Sequence, residues 1–146
     1  MSIIKITKQF SFEMAHALRN YDGLCKNIHG HSYKMDITVS GRPLCDESSP
    51  KNGMVMDFGD LKRLVTEKVI SVFDHALVLN NKTNTELLEV LKRNYEKIVT
   101  VDFQPTTENL LSFIAEKIEA GLPEGIVLNC VRLRETDTSY AEWCNE

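Results

Sequence analysis

The sequence has no long hydrophobic run: nothing approaches the roughly 18 apolar residues that a membrane-spanning helix needs. It has no excess of positive charge either. Lys and Arg number 17 against 21 Asp and Glu, for a formal net charge of −4 and a pI near 5.6, which argues against nucleic acid as the main partner. There are no repeats, no low-complexity tract and no Pro- or Ser-rich linker. The opening residues, MSIIKITKQFSFEMAH, carry a polar residue at every second or third position and contain no signal-peptide core. Cysteines number only 4 (Cys25, Cys45, Cys130 and Cys144), too few for a disulfide scaffold, and without an export signal they are expected as reduced thiols. The expectation is a cytoplasmic protein with no membrane and no nucleic-acid partner.

What is present is the make-up of an ordinary globular chain. Apolar residues are 42% and charged residues 26%, which excludes a disordered tail, a collagen and a coiled coil. A chain of 146 residues predicts one domain, residues 1–146. At that size about two-thirds of the unfolded surface can be buried.

Apolar residues alternate over 4–16, with Phe10, Phe12, Met14 and His16 on one parity, and again at Tyr33, Met35, Ile37 and Val39. Both runs predict half-buried strands that pair antiparallel, joined by a loop over 17–31. Asp57 predicts the cap of a helix to about Phe73, with Leu61, Leu64, Val65, Val69 and Val72 on its apolar face. A shorter helix is predicted at 84–96 and a short extended piece at 98–101. A further helix from Thr106 or Thr107 to about Ala120 stops at Gly121. Residues 125–135 predict a buried strand, and 138–143 return beside it. The sum is an α+β domain with helices on one face of an antiparallel sheet.

The chemistry-bearing residues concentrate in Cys25-x-x-x-His29-Gly30-His31, with His16 upstream. Residues i and i+2 of an extended segment share a side, roughly 6.6 Å apart, a span that two imidazoles can close onto one metal. A partner strand starting near His31 would bring His16 alongside. Three imidazoles with an open fourth position are the donor set of a catalytic zinc site. Cys25 has three readings: a fourth ligand closing a structural site, a catalytic thiolate beside the metal, or an inert thiol. Cys45, Cys130 and Cys144 have no such neighbours and read as inert. In Asp74-His75 a carboxylate beside an imidazole can fix its tautomer, although a histidine closing a helix is the plainer reading. Glu135 ends a strand and is either a solvated charge or a carboxylate for the paired donors of a 2-aminopyrimidinone ring. Thr106, Thr107 and Glu108 read first as a helix start.

FSFEMAH at 10–16, CKNIHGHSYKMDITVSG at 25–41, GMVMDFGDLK at 53–62, DHALVLN at 74–80, PTTENL at 105–110 and RETDT at 134–138 resemble, in order, the 6-pyruvoyltetrahydropterin synthase family. The resemblance implies a tunnelling fold (T-fold): an antiparallel four-stranded sheet with helices packed on one face, oligomerising into a barrel. Subunits would assemble as a homohexamer of two stacked trimers with active sites at their interfaces. Residues 84–101 are longer than the family's usual connection there.

By the same resemblance His16, His29 and His31 bind one zinc ion per subunit and Cys25 is the catalytic cysteine. Asp74 and His75 complete a proton relay from the neighbouring subunit. Glu135 anchors the pterin ring, and Thr106 and Thr107 line its pocket. The three residues between Cys25 and His29 are similar to the 6-carboxy-5,6,7,8-tetrahydropterin synthases of queuosine biosynthesis. Those lyases convert 7,8-dihydroneopterin triphosphate to 6-carboxytetrahydropterin, acetaldehyde and triphosphate. Arg19, Lys26 and Lys34 lie near the motif as candidate partners for the triphosphate. A triphosphate-eliminating pyruvoyl synthase and a non-catalytic zinc-stabilised oligomer are the alternatives.

Overall fold

A computed structural model describes residues 2–146. The two alternating runs form strands β1 (Ile4–His16) and β2 (His29–Gly41), paired antiparallel from Ile4 opposite Gly41 to His16 opposite His29. Strands β5 (Val127–Thr136) and β6 (Ser139–Cys144) continue the antiparallel ladder on the β2 side.

Two further strands correct the expected four-stranded antiparallel sheet. Strand β3 (Ala76–Asn80) runs parallel to the end of β1, and β4 (Ile98–Val101) runs parallel to β3. The sheet is therefore six-stranded and mixed, in the order β4-β3-β1-β2-β5-β6. Ala76–Asn80 has no clean alternation because Ala76, Val78 and Leu79 are all buried. A short continuous apolar run of that kind gives no period to read.

Helix α1 (Phe58–Val65) is capped by Asp57, whose side chain accepts from the Gly59 amide. It continues through a π-helical turn (Thr66–Ile70) into α2 (Ser71–Phe73). Leu61, Val65, Val69 and Phe73 are all buried. A spacing of four residues drifts around a 3.6-residue helix, and the wider turn brings the stripe back to the core. After α3 (Thr85–Asn94), helix α4 (Thr107–Gly121) buries Leu110, Leu111, Ile114 and Ile118 against the same sheet face. That face presents Phe12, Met14, Tyr33, Met35, Ile37, Val39, Val131 and Leu133. Helix α3 buries no residue and stands outside this core. No helix among the described residues is long and apolar enough to cross a membrane.

Candidate active site

The β1–β2 pairing sets the centre. His16 lies directly opposite His29, and Met14 opposite His31. The partner strand thus begins two residues before the expected His31, and His31 reaches His16 along the diagonal of the same face. Nitrogen atoms of His16, His29 and His31 all lie within 4.8 Å of one another, a group that could hold a metal ion. Tyr33, next on that parity, floors the group: its ring is stacked 5.0 Å from Phe12 and meets His31 edge-on at 5.5 Å.

Backbone carbonyls fix the tautomers. His16 Nδ1 donates to the Pro105 carbonyl at 2.7 Å, and His29 Nδ1 donates to the Asn27 carbonyl at 2.7 Å. A carbonyl oxygen can only accept, so in each neutral ring the proton sits on Nδ1 and Nε2 carries the lone pair. The two Nε2 atoms are 3.0 Å apart. Two acceptors at that distance repel unless a cation lies between them. His31 Nε2 is buried and makes no hydrogen bond. Burial, reinforced by the neighbouring His29, holds both His16 and His31 below the ordinary histidine pKa and so favours the neutral form a metal requires. The donor set fits a metal of the zinc type: three imidazoles, two of them with the second nitrogen held on a backbone carbonyl.

Glu135 stands beside this group. Its Oε1 is 3.4 Å from His31 Nε2 and 3.6 Å from His16 Nε2. The β5–β6 register slips between Arg134 and Thr136, which places Glu135 at the irregularity. Burial, with the Glu135 carboxylate second, pushes the Tyr33 phenol far above its usual range.

Cys25 is exposed in a 3₁₀ turn, Leu24–Lys26, within the loop over 17–28. His16 and His29 close that loop, and the Leu18 amide donates to the Cys25 carbonyl at its base, at 3.0 Å. Gln104 braces it from the far side, accepting from the Arg19 amide and donating to the Arg19 carbonyl. Thr106 caps α4 by accepting from the Asn109 amide, and Thr107 is buried beside it. Both follow Pro105, whose carbonyl accepts from His16 Nδ1.

Asp74 and His75 make their contacts elsewhere. Asp74 Oδ1 accepts from the Glu13 amide, and Oδ2 is 3.0 Å from His75 Nδ1. The Glu13 amide, ahead of His75, holds the Asp74 carboxyl below the usual carboxylate range. His75 adopts the left-handed φ of 63°, which a side chain tolerates only under constraint, and its amide donates to the Glu13 carbonyl at 2.6 Å. Its side chain is 77% exposed. A shallow cavity of about 330 Å³ joins His75 to Glu13, Gly30, His31 and Ser32. Lys34, expected near the motif, instead lines a separate cavity with Arg132 and Arg134.

Sequence reasoning did not find Pro105, Asn27 or Gln104. The first two act through main-chain carbonyls, which leave no residue-type signal. Tyr33 was legible, since it continues the His29, His31 parity.

The sequence matches the 6-pyruvoyl tetrahydropterin synthase family over residues 5–146. It is 36% identical over 143 residues to a 6-carboxy-5,6,7,8-tetrahydropterin synthase of Haemophilus influenzae, covering 97% of this chain and 99% of the relative. A protein of the same name from a Synechocystis species is 34% identical over 94% of this chain and 91% of its own. An uncharacterised Wolinella succinogenes protein superposes with a TM-score of 0.76 at 22% identity, with both chains fully covered. The Caenorhabditis elegans 6-pyruvoyl tetrahydropterin synthase gives 0.67 at 25% identity, covering 100% of this chain and 98% of that one.

Proposed function

Because the chain belongs to the 6-pyruvoyl tetrahydropterin synthase family, we propose that it is a zinc-dependent 6-carboxy-5,6,7,8-tetrahydropterin synthase. The substrate is 7,8-dihydroneopterin triphosphate, and the products are 6-carboxytetrahydropterin, acetaldehyde and triphosphate, in a cytoplasmic route to queuosine. One domain over residues 1–146 carries the site, and the working form is a hexamer of two stacked trimers.

The observation that carries this reading is the His16, His29, His31 group, with two Nε2 atoms 3.0 Å apart and their outer nitrogens on carbonyls. Those three residues hold the zinc. When bound there, zinc supplies Lewis-acid stabilisation of the negative charge that develops on a substrate oxygen as a neighbouring proton leaves. Cys25, on the loop above the group, accepts or returns that proton. His75, oriented through Nδ1 by Asp74, is the second acid/base and comes from the neighbouring subunit. Glu135 receives the paired ring donors of the pterin, and Thr106 and Thr107 complete the pocket. These three groups position the substrate and take no proton.

The test is mass spectrometry of the products formed by zinc-loaded protein from 7,8-dihydroneopterin triphosphate. A carboxytetrahydropterin with acetaldehyde is expected; a pyruvoyl product would overturn the branch assignment. Cys25→Ala should retain zinc and lose turnover by about 100-fold or more. Loss of zinc in that variant would make Cys25 a structural fourth ligand instead.

A further inference from the structure

We propose that Cys130 and Cys144 form a reversible thiol–disulfide pair, a site of covalent oxidation that staples the last strand of the sheet to its neighbour. Nothing in the proposed reaction uses these residues. In the sequence both read as inert thiols without the histidine neighbours of Cys25, and 14 positions separate them.

The sheet removes that separation. Cys130 on β5 lies directly opposite Cys144 on β6, and the two Sγ atoms are 3.4 Å apart. The Asn145 amide donates to the Asn129 carbonyl at 2.8 Å. That bond flanks the pair, which makes Cys130 and Cys144 a non-hydrogen-bonded pair of the antiparallel ladder. Cα atoms of such pairs lie about 4.5 Å apart, inside the roughly 4.4–6.8 Å that a disulfide spans. The bond can therefore close without moving backbone. Cys45 is exposed in a turn over 44–54 and has no cysteine beside it among the described residues.

The two thiols differ in access. Cys144 is exposed and Cys130 half-buried. Burial, with the neighbouring Cys144 second, pushes the Cys130 thiol up to about 11. Oxidation by a small disulfide such as oxidised glutathione then runs in two exchanges. Cys144 Sγ, as thiolate, attacks one sulfur of the oxidant and releases one glutathione thiolate. Cys130 Sγ attacks the mixed disulfide at Cys144, gives its proton to solvent and releases the second glutathione. The protein loses two electrons and two protons, and one oxidised glutathione becomes two reduced molecules. In a reducing compartment a disulfide at this exposed site is transient, formed under oxidant and reversed afterwards.

The test is peptide mapping of zinc-loaded protein after exposure to oxidised glutathione, with free thiols trapped by iodoacetamide. The expected result is a cross-linked peptide joining Cys130 to Cys144, reversed by dithiothreitol. The link should outnumber the stable glutathione adduct on Cys144 by about 10-fold or more, because the second exchange is intramolecular, with a thermal midpoint about 5 °C higher in the linked form. In Cys144→Ser, Cys130 should stay alkylatable at the oxidant level that closes the native pair. A Cys25→Ser/Cys45→Ser double variant should still form the link. Stable glutathione adducts on both residues, or a link to Cys25 or Cys45, would each overturn the proposal.

Discussion

At the scale of single residues, burial and backbone constraint set the state of the candidate groups. His16 and His31 are kept neutral by burial. Their folded pKa values lie below the ordinary 6.5, so between those values and 6.5 the unfolded chain holds more protons. The stability this neutrality contributes is fully present above about 6.5 and is lost as pH falls through the folded values. Chelated protein should therefore show a urea midpoint that falls steadily below pH about 6.5, and a midpoint flat from about 7.5 to 5 would contradict the burial argument. His75 is constrained through its backbone instead. Its φ of 63° suits glycine. His75→Gly should keep stability within about 1 kcal/mol of the parent, because relief of strain offsets the lost contact with Asp74, while turnover collapses. Thermal melts run alongside kinetics separate the two effects.

At the scale of elements, the histidines were readable because the chemistry sits on strands. His29, His31 and Tyr33 share a parity, and Phe12, Met14 and His16 share another, so two alternating runs already aimed the site at one face. The pairing offset was less readable: the strand begins at His29 because the Asn27 carbonyl and the Leu18–Cys25 backbone bond shape the loop before it. The other end of β2 is fixed by space. A Cβ at Gly41 would lie 2.8 Å from Ile126 Cδ1, 3.1 Å from the Gly125 carbonyl and 3.2 Å from Val55 Cγ1. Gly41→Ala should cost about 1–3 kcal/mol by overpacking while leaving metal content intact, checked by denaturant melts and metal analysis. A melt equal to the parent's would show that the contact relaxes freely. The π-helical turn at Thr66–Ile70 belongs to the same scale: Leu61, Val65 and Val69 were visible on the apolar face, but the local widening, with Phe73 buried and Val72 only half-buried, was not.

At the scale of the whole molecule, the candidate residues fall in two places. The imidazole group lies on the helix-covered face, while Asp74 and His75 bond to the β1 backbone at Glu13 and leave His75 exposed. An exposed acid/base pair fits a head-to-tail assembly in which one subunit completes the next. His31→Ala and His75→Ala proteins should each be inactive. When unfolded together in equal amounts and refolded, they should regain about a quarter of parental activity, because only mixed neighbours hold both intact histidines. No recovery in a mixture shown to co-assemble would place both histidines in a single subunit's site.

The sequence by itself determined the two alternating strands, the cap at Asp57, a helix start at Thr106 or Thr107, the histidine parity and the family pattern, because each is a local regularity of period or residue type. Tertiary structure decided the parallel strands β3 and β4, whose burial erases alternation, and the carbonyls of Pro105 and Asn27 that set the imidazole protons. It also decided the meeting of Cys130 with Cys144. All but the Asn27–His29 bond join residues well separated in the chain, that carbonyl leaves no residue-type signal, and a pairing register exists only once the sheet has formed.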